Sequence, residues 1–148
     1  MSTKRTKIVT ALANKLKDID GTNGYTTNLF GNSFPKLKFW DEVNDFPSIY
    51  MSVGSETRDH MPSQFAWGFL NVSIKAYVRG EDAHDQLEAL LADIETCIDK
   101  NRNLVWNEAT QDQTTEILIQ SITTDEGLLA PYGVGEINIE VRYPIITA

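Results

Sequence analysis

A chain of 148 residues with 41% apolar and 23% charged residues has the length and composition of one globular domain able to bury a sizeable core. Its formal net charge of −8 argues against a general nucleic-acid binder, whose surface is usually basic. Cys97 is the only cysteine, so no intrachain disulfide can form, which fits a reducing compartment.

The opening stretch MSTKRTKIVTALANKL has no long apolar run, and no segment approaches the length of a membrane span. The chain is expected to be soluble. Ile8, Leu12, Leu16 and Ile19 recur at the spacing of one buried helical face, which predicts a helix over about Thr3–Ile19. Lys4, Arg5, Lys7, Lys15 and Lys17 make its other face basic, and Asp20-Gly21 offers a stop. Gly21 to Ser33 reads as loop, with a short strand at Tyr25–Phe30, and alternation at Lys36–Trp40 suggests an edge strand.

Phe46–Val53 reads as a strand with Pro47 near its start. The charged stretch that follows, Glu56 to Ser63, reads as a projecting turn. Gln64–Arg79 gives the strongest strand signal, with Val72, Ile74, Ala76 and Val78 alternating against Asn71, Ser73 and Lys75. Phe65, Trp67 and Phe69 alternate in the opposite phase. That predicts a bulge near Gly68–Asn71, or else three aromatic groups left on a contact surface.

A second amphipathic helix is predicted over about Asp82–Lys100, with Asp82 as N-cap and Leu87, Leu90, Leu91, Ile94 and Ile98 buried. Its carboxylates, Asp93 among them, read as a solvated acidic face. That face complements the basic first helix, within one subunit or between subunits. Glu116–Thr124 and Gly135–Ile146 complete the strands, joined by a loop, Asp125–Val134, that carries Leu128 and Leu129. Two helices over an antiparallel sheet of about four or more strands make a single α+β domain, residues 1–148.

No catalytic constellation emerges. Nucleotide-binding, zinc-protease and nucleophile-elbow motifs are missing. His60 and His84 stand apart from any ligand spacing and read as surface residues, so no cofactor and no metal are expected. The sequon Asn71-Val72-Ser73 lies inside a predicted strand and reads as chance.

The helix IVTALANKLKDI, the strands DFPSIYMSVGSE and FLNVSIKAYVRG, the helix EDAHDQLEALLADIETCI and the final strand GEINIEVRYPI together resemble the tail terminator proteins of long-tailed bacteriophages, the lambda tail terminator-like family. The resemblance spans about Ile8 to Ile146 and rests on the order of elements with short local matches. It implies a structural virion protein, not an enzyme. Such a protein forms a homo-oligomeric ring, commonly a hexamer, on the head-proximal end of the tail. Its partners are the tail tube protein and a head–tail connector protein, with no membrane and no sequence-specific nucleic acid. The family supplies no binding motif to carry over. From the residues themselves, Arg58, Asp59 and His60 in the charged turn, and Leu128, Leu129 and Tyr132 in the late loop, are the candidate contacts. A different head–tail connector, a tail completion protein, a small enzyme and a monomeric binding module are the alternatives.

Overall fold

The structure is a computed structural model that describes residues 3–146. In chain order it comprises α1 (Lys4–Leu16), β1 (Ser33–Phe34), a 3-10 turn (Trp40–Glu42), β2 (Ser48–Met61), β3 (Phe65–Arg79), α2 (Ala83–Lys100), β4 (Val105–Asn107), β5 (Asp112–Gln113), β6 (Glu116–Thr124) and β7 (Tyr132–Ile146). Five strands form one sheet in the order β1-β2-β3-β7-β6, and β4–β5 is a small separate hairpin. All pairs are antiparallel except β1 with β2. The expected α+β class holds.

Both helices cover one face of the sheet. In α1 the Thr3 hydroxyl caps the first turn by accepting from the Thr6 N–H at 3.2 Å, and Ile8, Val9, Leu12, Ala13 and Leu16 are buried. The helix ends at Leu16, earlier than expected, and tighter turns carry the chain to the buried Ile19. Along α2 the expected stripe is buried as predicted. Asp82 holds the N-cap position, but its carboxylate accepts from Gln86 Nε2 at 2.5 Å and not from the backbone.

β3 alternates without a break: Ala66, Gly68, Leu70, Val72, Ile74 and Ala76 all face the helices. The expected bulge in β3 is therefore absent. The irregularity lies in its neighbour, where β2 gains one residue between Val53 and Glu56. Gly68 explains the apparent phase change. A Cβ there would lie 2.8 Å from Tyr143 Cε1 and 2.8 Å from Ile145 Cδ1, so the glycine makes room for the Tyr143 ring. Phe65, Trp67 and Phe69 do not project past the sheet either: paired with β2 and β7, they stand half-buried on the face away from the helices.

Three other expectations need correction. β2 does not stop at Val53 but runs to Met61, so the supposed turn is strand, and the reversal is confined to residues 62–64. Tyr25–Phe30 is not a strand, because Asp93 of α2 supplies the partners of its backbone at Thr26 and Thr27. Lys36–Trp40 is not one either. Only Lys36 reaches β2, through its carbonyl and the Met51 N–H, and the strand that forms is Ser33–Phe34. The segment beyond it crosses the outer face. There Phe34, Val43 and Phe46 cover Tyr50, Tyr77 and Val134 in a second small core, with the Tyr77 hydroxyl donating to the Lys38 carbonyl at 2.6 Å.

Candidate assembly surfaces

β3 is the axis of the surfaces that remain open. Its fifteen residues span roughly 45–50 Å at the usual rise of a strand. At one end Phe65 pairs with Ile146 and Met61; at the other Arg79 pairs with Tyr132. The two groups of sequence-predicted contact residues lie at these opposite ends.

At the hairpin end, Arg58, Asp59 and His60 do not share a surface. Strand alternation sends Arg58 and His60 to the helix side, opposite Gly68 and Ala66, and Asp59 to the outer side, opposite Trp67. All three are exposed. What organises this end is Glu56, which the sequence did not single out. Its carboxylate is buried, accepts from the Tyr143 hydroxyl and lies 3.6 Å from Arg5 and 3.7 Å from Arg58. Burial, reinforced by the Glu56 contact, pushes the Tyr143 phenol well above its ordinary range.

The outer side of the same end is aromatic. The Arg142 guanidinium stacks 4.1 Å from the Trp67 ring centre and 5.8 Å from that of Phe69. Phe65 meets Trp67 edge-on at 4.9 Å. Arg142 Nε is buried and has no hydrogen-bond partner among the described residues. Met61 and Ile146 flank the group, and Ile146 is 66% exposed. Only the register reveals Arg142, since it sits across from Phe69 on β7. A half-covered aromatic strip with a cation stacked on it suits a protein contact.

At the far end, Leu128 is 84% exposed, Leu129 is half-buried, and Tyr132 belongs to β7 rather than to the loop. Asp125 folds the loop by accepting from the Leu129 N–H at 3.1 Å and the Val134 N–H at 3.4 Å. Tyr132 packs against Trp40 at 5.4 Å and Phe46 at 5.8 Å, with Arg79 over its ring. Of the three predicted residues, only Leu128 projects freely. Phe39, beside Trp40, is also exposed.

Little on the molecule resembles a reaction site. Among the described residues no group of three or more His, Cys, Asp or Glu could hold a metal ion, and no helix is long and apolar enough to cross a membrane. A cavity of about 640 Å³ is an open groove between α1 and β4 lined by residues such as Thr10, Asn14, Lys15 and Asn103. Cys97 is buried, and burial raises its thiol above the ordinary value, which favours the unreactive form. The acidic face of α2 needs one correction: Asp93 is buried and hydrogen-bonded. No ion pair joins α1 to α2 among the described residues, so the two charge sets do not neutralise each other within the subunit.

Comparison with known proteins places the chain among others of the same fold and sequence. In fold, the chain is similar to a chain from the virion of a native gene transfer agent particle, with a TM-score of 0.66 at 12% identity, covering 98% of this chain and 100% of that one. In sequence, it is 38% identical over 149 aligned residues to the tail tube terminator protein p142 of Escherichia phage T5, covering 94% of this chain and 92% of that protein. The family described as Bacteriophage Tail Tube Terminator Protein matches residues 2–147. A match over nearly the whole chain, together with 38% identity to a protein named as a tail tube terminator, shows that the chain belongs to the bacteriophage tail tube terminator family, a family of structural virion proteins.

Proposed function

We propose that this tail tube terminator works as a ring of identical subunits, commonly six in proteins that resemble it, seated on the head-proximal end of the tube. One end of each subunit's β3 axis meets the tail tube protein, and the other is left for the head–tail connector protein. The match over residues 2–147 carries this reading. The two-ended distribution of exposed contact groups supports it, with the Phe65–Trp67–Ile146 end and the Leu128–Phe39 end separated by the full length of the sheet.

The mechanism requires no chemistry on substrate. A tube grows because each added layer presents the surface that the next one binds. A ring that binds that surface and presents a different one stops growth, and the differing far end then receives the head. Arg58, Asp59 and His60 at one end, with Leu128 at the other, are the polar and apolar rims of these two contacts.

Two measurements test the reading together. Light scattering of the purified protein should give the mass of a closed ring, alone or after addition of tail tubes. Tubes polymerised with the protein present should keep a fixed length, whereas untreated tubes continue to grow. Tubes that lengthen equally with and without the protein would overturn it.

A further inference from the structure

A ring needs two flanks that fit each other, and the flanks of this sheet differ in a matching way. α1 packs on β1, β2 and the β4 hairpin, while α2 packs on β3, β7 and β6. The β2 flank therefore carries the basic helix and the β6 flank the acidic one. Lys4 and Lys7 of α1, and Asp85 and Glu88 of α2, have no ion-pair partner among the described residues. Both sheet edges also stand open. Among the described residues, β1 pairs only with Ile49 and Tyr50, which leaves β2 unpaired from Ser52 to Met61, and β6 has no neighbour beyond β7.

Each open edge presents an aliphatic side chain at a corresponding height. Val53 on β2 is 43% exposed and Ile122 on β6 is 39% exposed. Across the sheet Val53 lies level with Val72, Ile139 and Ile119. Ile122 pairs with Ile137, the next residue on the same side of β7. Both side chains thus emerge on the helix side, about one rung apart.

We infer that the β6–α2 flank of one copy docks on the β2–α1 flank of the next, with Ile122 against Val53 and the acidic helix facing the basic one. This rests on the ring proposed above. The contact is heterologous, the type that generates a ring when its rotation closes. Rotation about an axis along the strands preserves their direction. Because β6 runs opposite to β2 within the sheet, the two meet antiparallel at the joint. Bulges interrupt both edges, between Val53 and Glu56 and between Ile119 and Ser121, so side chains rather than a continuous backbone ladder carry the contact. The facing charges set register and partner choice.

Cysteine cross-linking tests it. Val53→Cys and Ile122→Cys are made as separate proteins; Cys97 is buried and stays silent. Mild oxidation of the mixture should give a disulfide-linked dimer containing one of each, and neither protein alone should give a dimer. A ring of the correct mass that yields no mixed dimer, or that links Val53→Cys to itself, overturns this contact and leaves the ring reading standing. Failure to form any ring, alone or on tail tubes, overturns both. Charge reversal provides an independent reading. Lys4→Glu with Lys7→Glu should raise the concentration needed for association at least tenfold, as should Asp85→Lys with Glu88→Lys. All four changes in one chain should restore it. Unchanged association in both reversed variants would overturn the charge pairing.

Discussion

The Asp93 carboxylate accepts the Thr27 hydroxyl at 2.6 Å and the Thr27 N–H at 2.7 Å, and so ties the loop after α1 to the middle of α2. The Thr26 N–H adds a contact at 3.1 Å to the same carboxylate. A buried charge is tolerated here because four neighbouring donors point at it. Asp93→Ala should cost about 3 kcal/mol, since it leaves two backbone N–H groups unpaired, and Asp93→Asn about half of that. Urea unfolding midpoints measure both. Faster proteolytic cleavage within residues 21–32 of the alanine variant would place the damage in the tethered loop.

Gly68→Ala should destabilise by roughly 2 kcal/mol, because the added methyl meets the rigid Tyr143 ring and not only the flexible tip of Ile145. Gly68→Ala combined with Tyr143→Leu should recover part of the loss, a coupling that a double-mutant cycle reads directly. Simple additivity would show that the two positions do not compete for space.

Four tyrosines make the protein sensitive to alkali. Burial, first of all, raises the phenols of Tyr25, Tyr50, Tyr77 and Tyr143, with that of Tyr77 pushed up to about 12. The fold favours the neutral phenol. Its stabilisation is therefore fully present below the ordinary value near 10 and is lost as pH rises through the folded value. Tyr77 alone contributes on the order of 2 kcal/mol across that window, about pH 10 to 12. Ultraviolet phenolate absorbance should show these groups ionising together with unfolding. Smooth ionisation near pH 10 in the still-folded protein would contradict the burial argument.

With the aromatic end of β3 taken as the end that meets the tail tube, Trp67→Ala should leave the fold close to intact, with a loss of about 1 kcal/mol from the Arg142 stack, yet abolish control of tube length. Arg142→Lys should be a partial defect, because an ammonium lacks the flat face that lies on the indole. Tail lengths measured by electron microscopy, beside unfolding midpoints, separate the two effects. Normal tail lengths with Trp67→Ala would remove this strip from the proposed tube contact.

The parts of the fold that were legible are those whose period is set locally. α1, α2 and β7 each bury a continuous stripe, so sequence spacing locates them to within a few residues. The sequence reads β2 as ending at Val53 because Glu56 to His60 is polar on both sides, the pattern of an open edge, which sequence does not distinguish from a turn. The phase of β3 was ambiguous because two hydrophobic sets, one for each face, follow one another along a single strand. Asp93 does carry a signal of burial in the sequence: it falls between Leu90 and Cys97 on the apolar stripe of α2, where a solvated carboxylate has no place. The candidate contacts fared according to their neighbours. Leu128 projects as a loop residue should, whereas Arg58, Asp59 and His60 were divided between two faces once the turn proved to be strand.

The two edge bulges have a consequence for the cell in which the protein is made. A head-to-tail contact that fails to close runs on as a fibre, and a long flat strand edge invites that outcome as well as indiscriminate pairing with other exposed strands. Kinking β2 after Val53 and β6 after Ile119 denies a stranger the straight template it needs, while leaving exposed the side chains proposed above to receive a sister subunit. The same irregularities that look like flaws in the ladder would keep newly made chains dispersed until they meet their own kind.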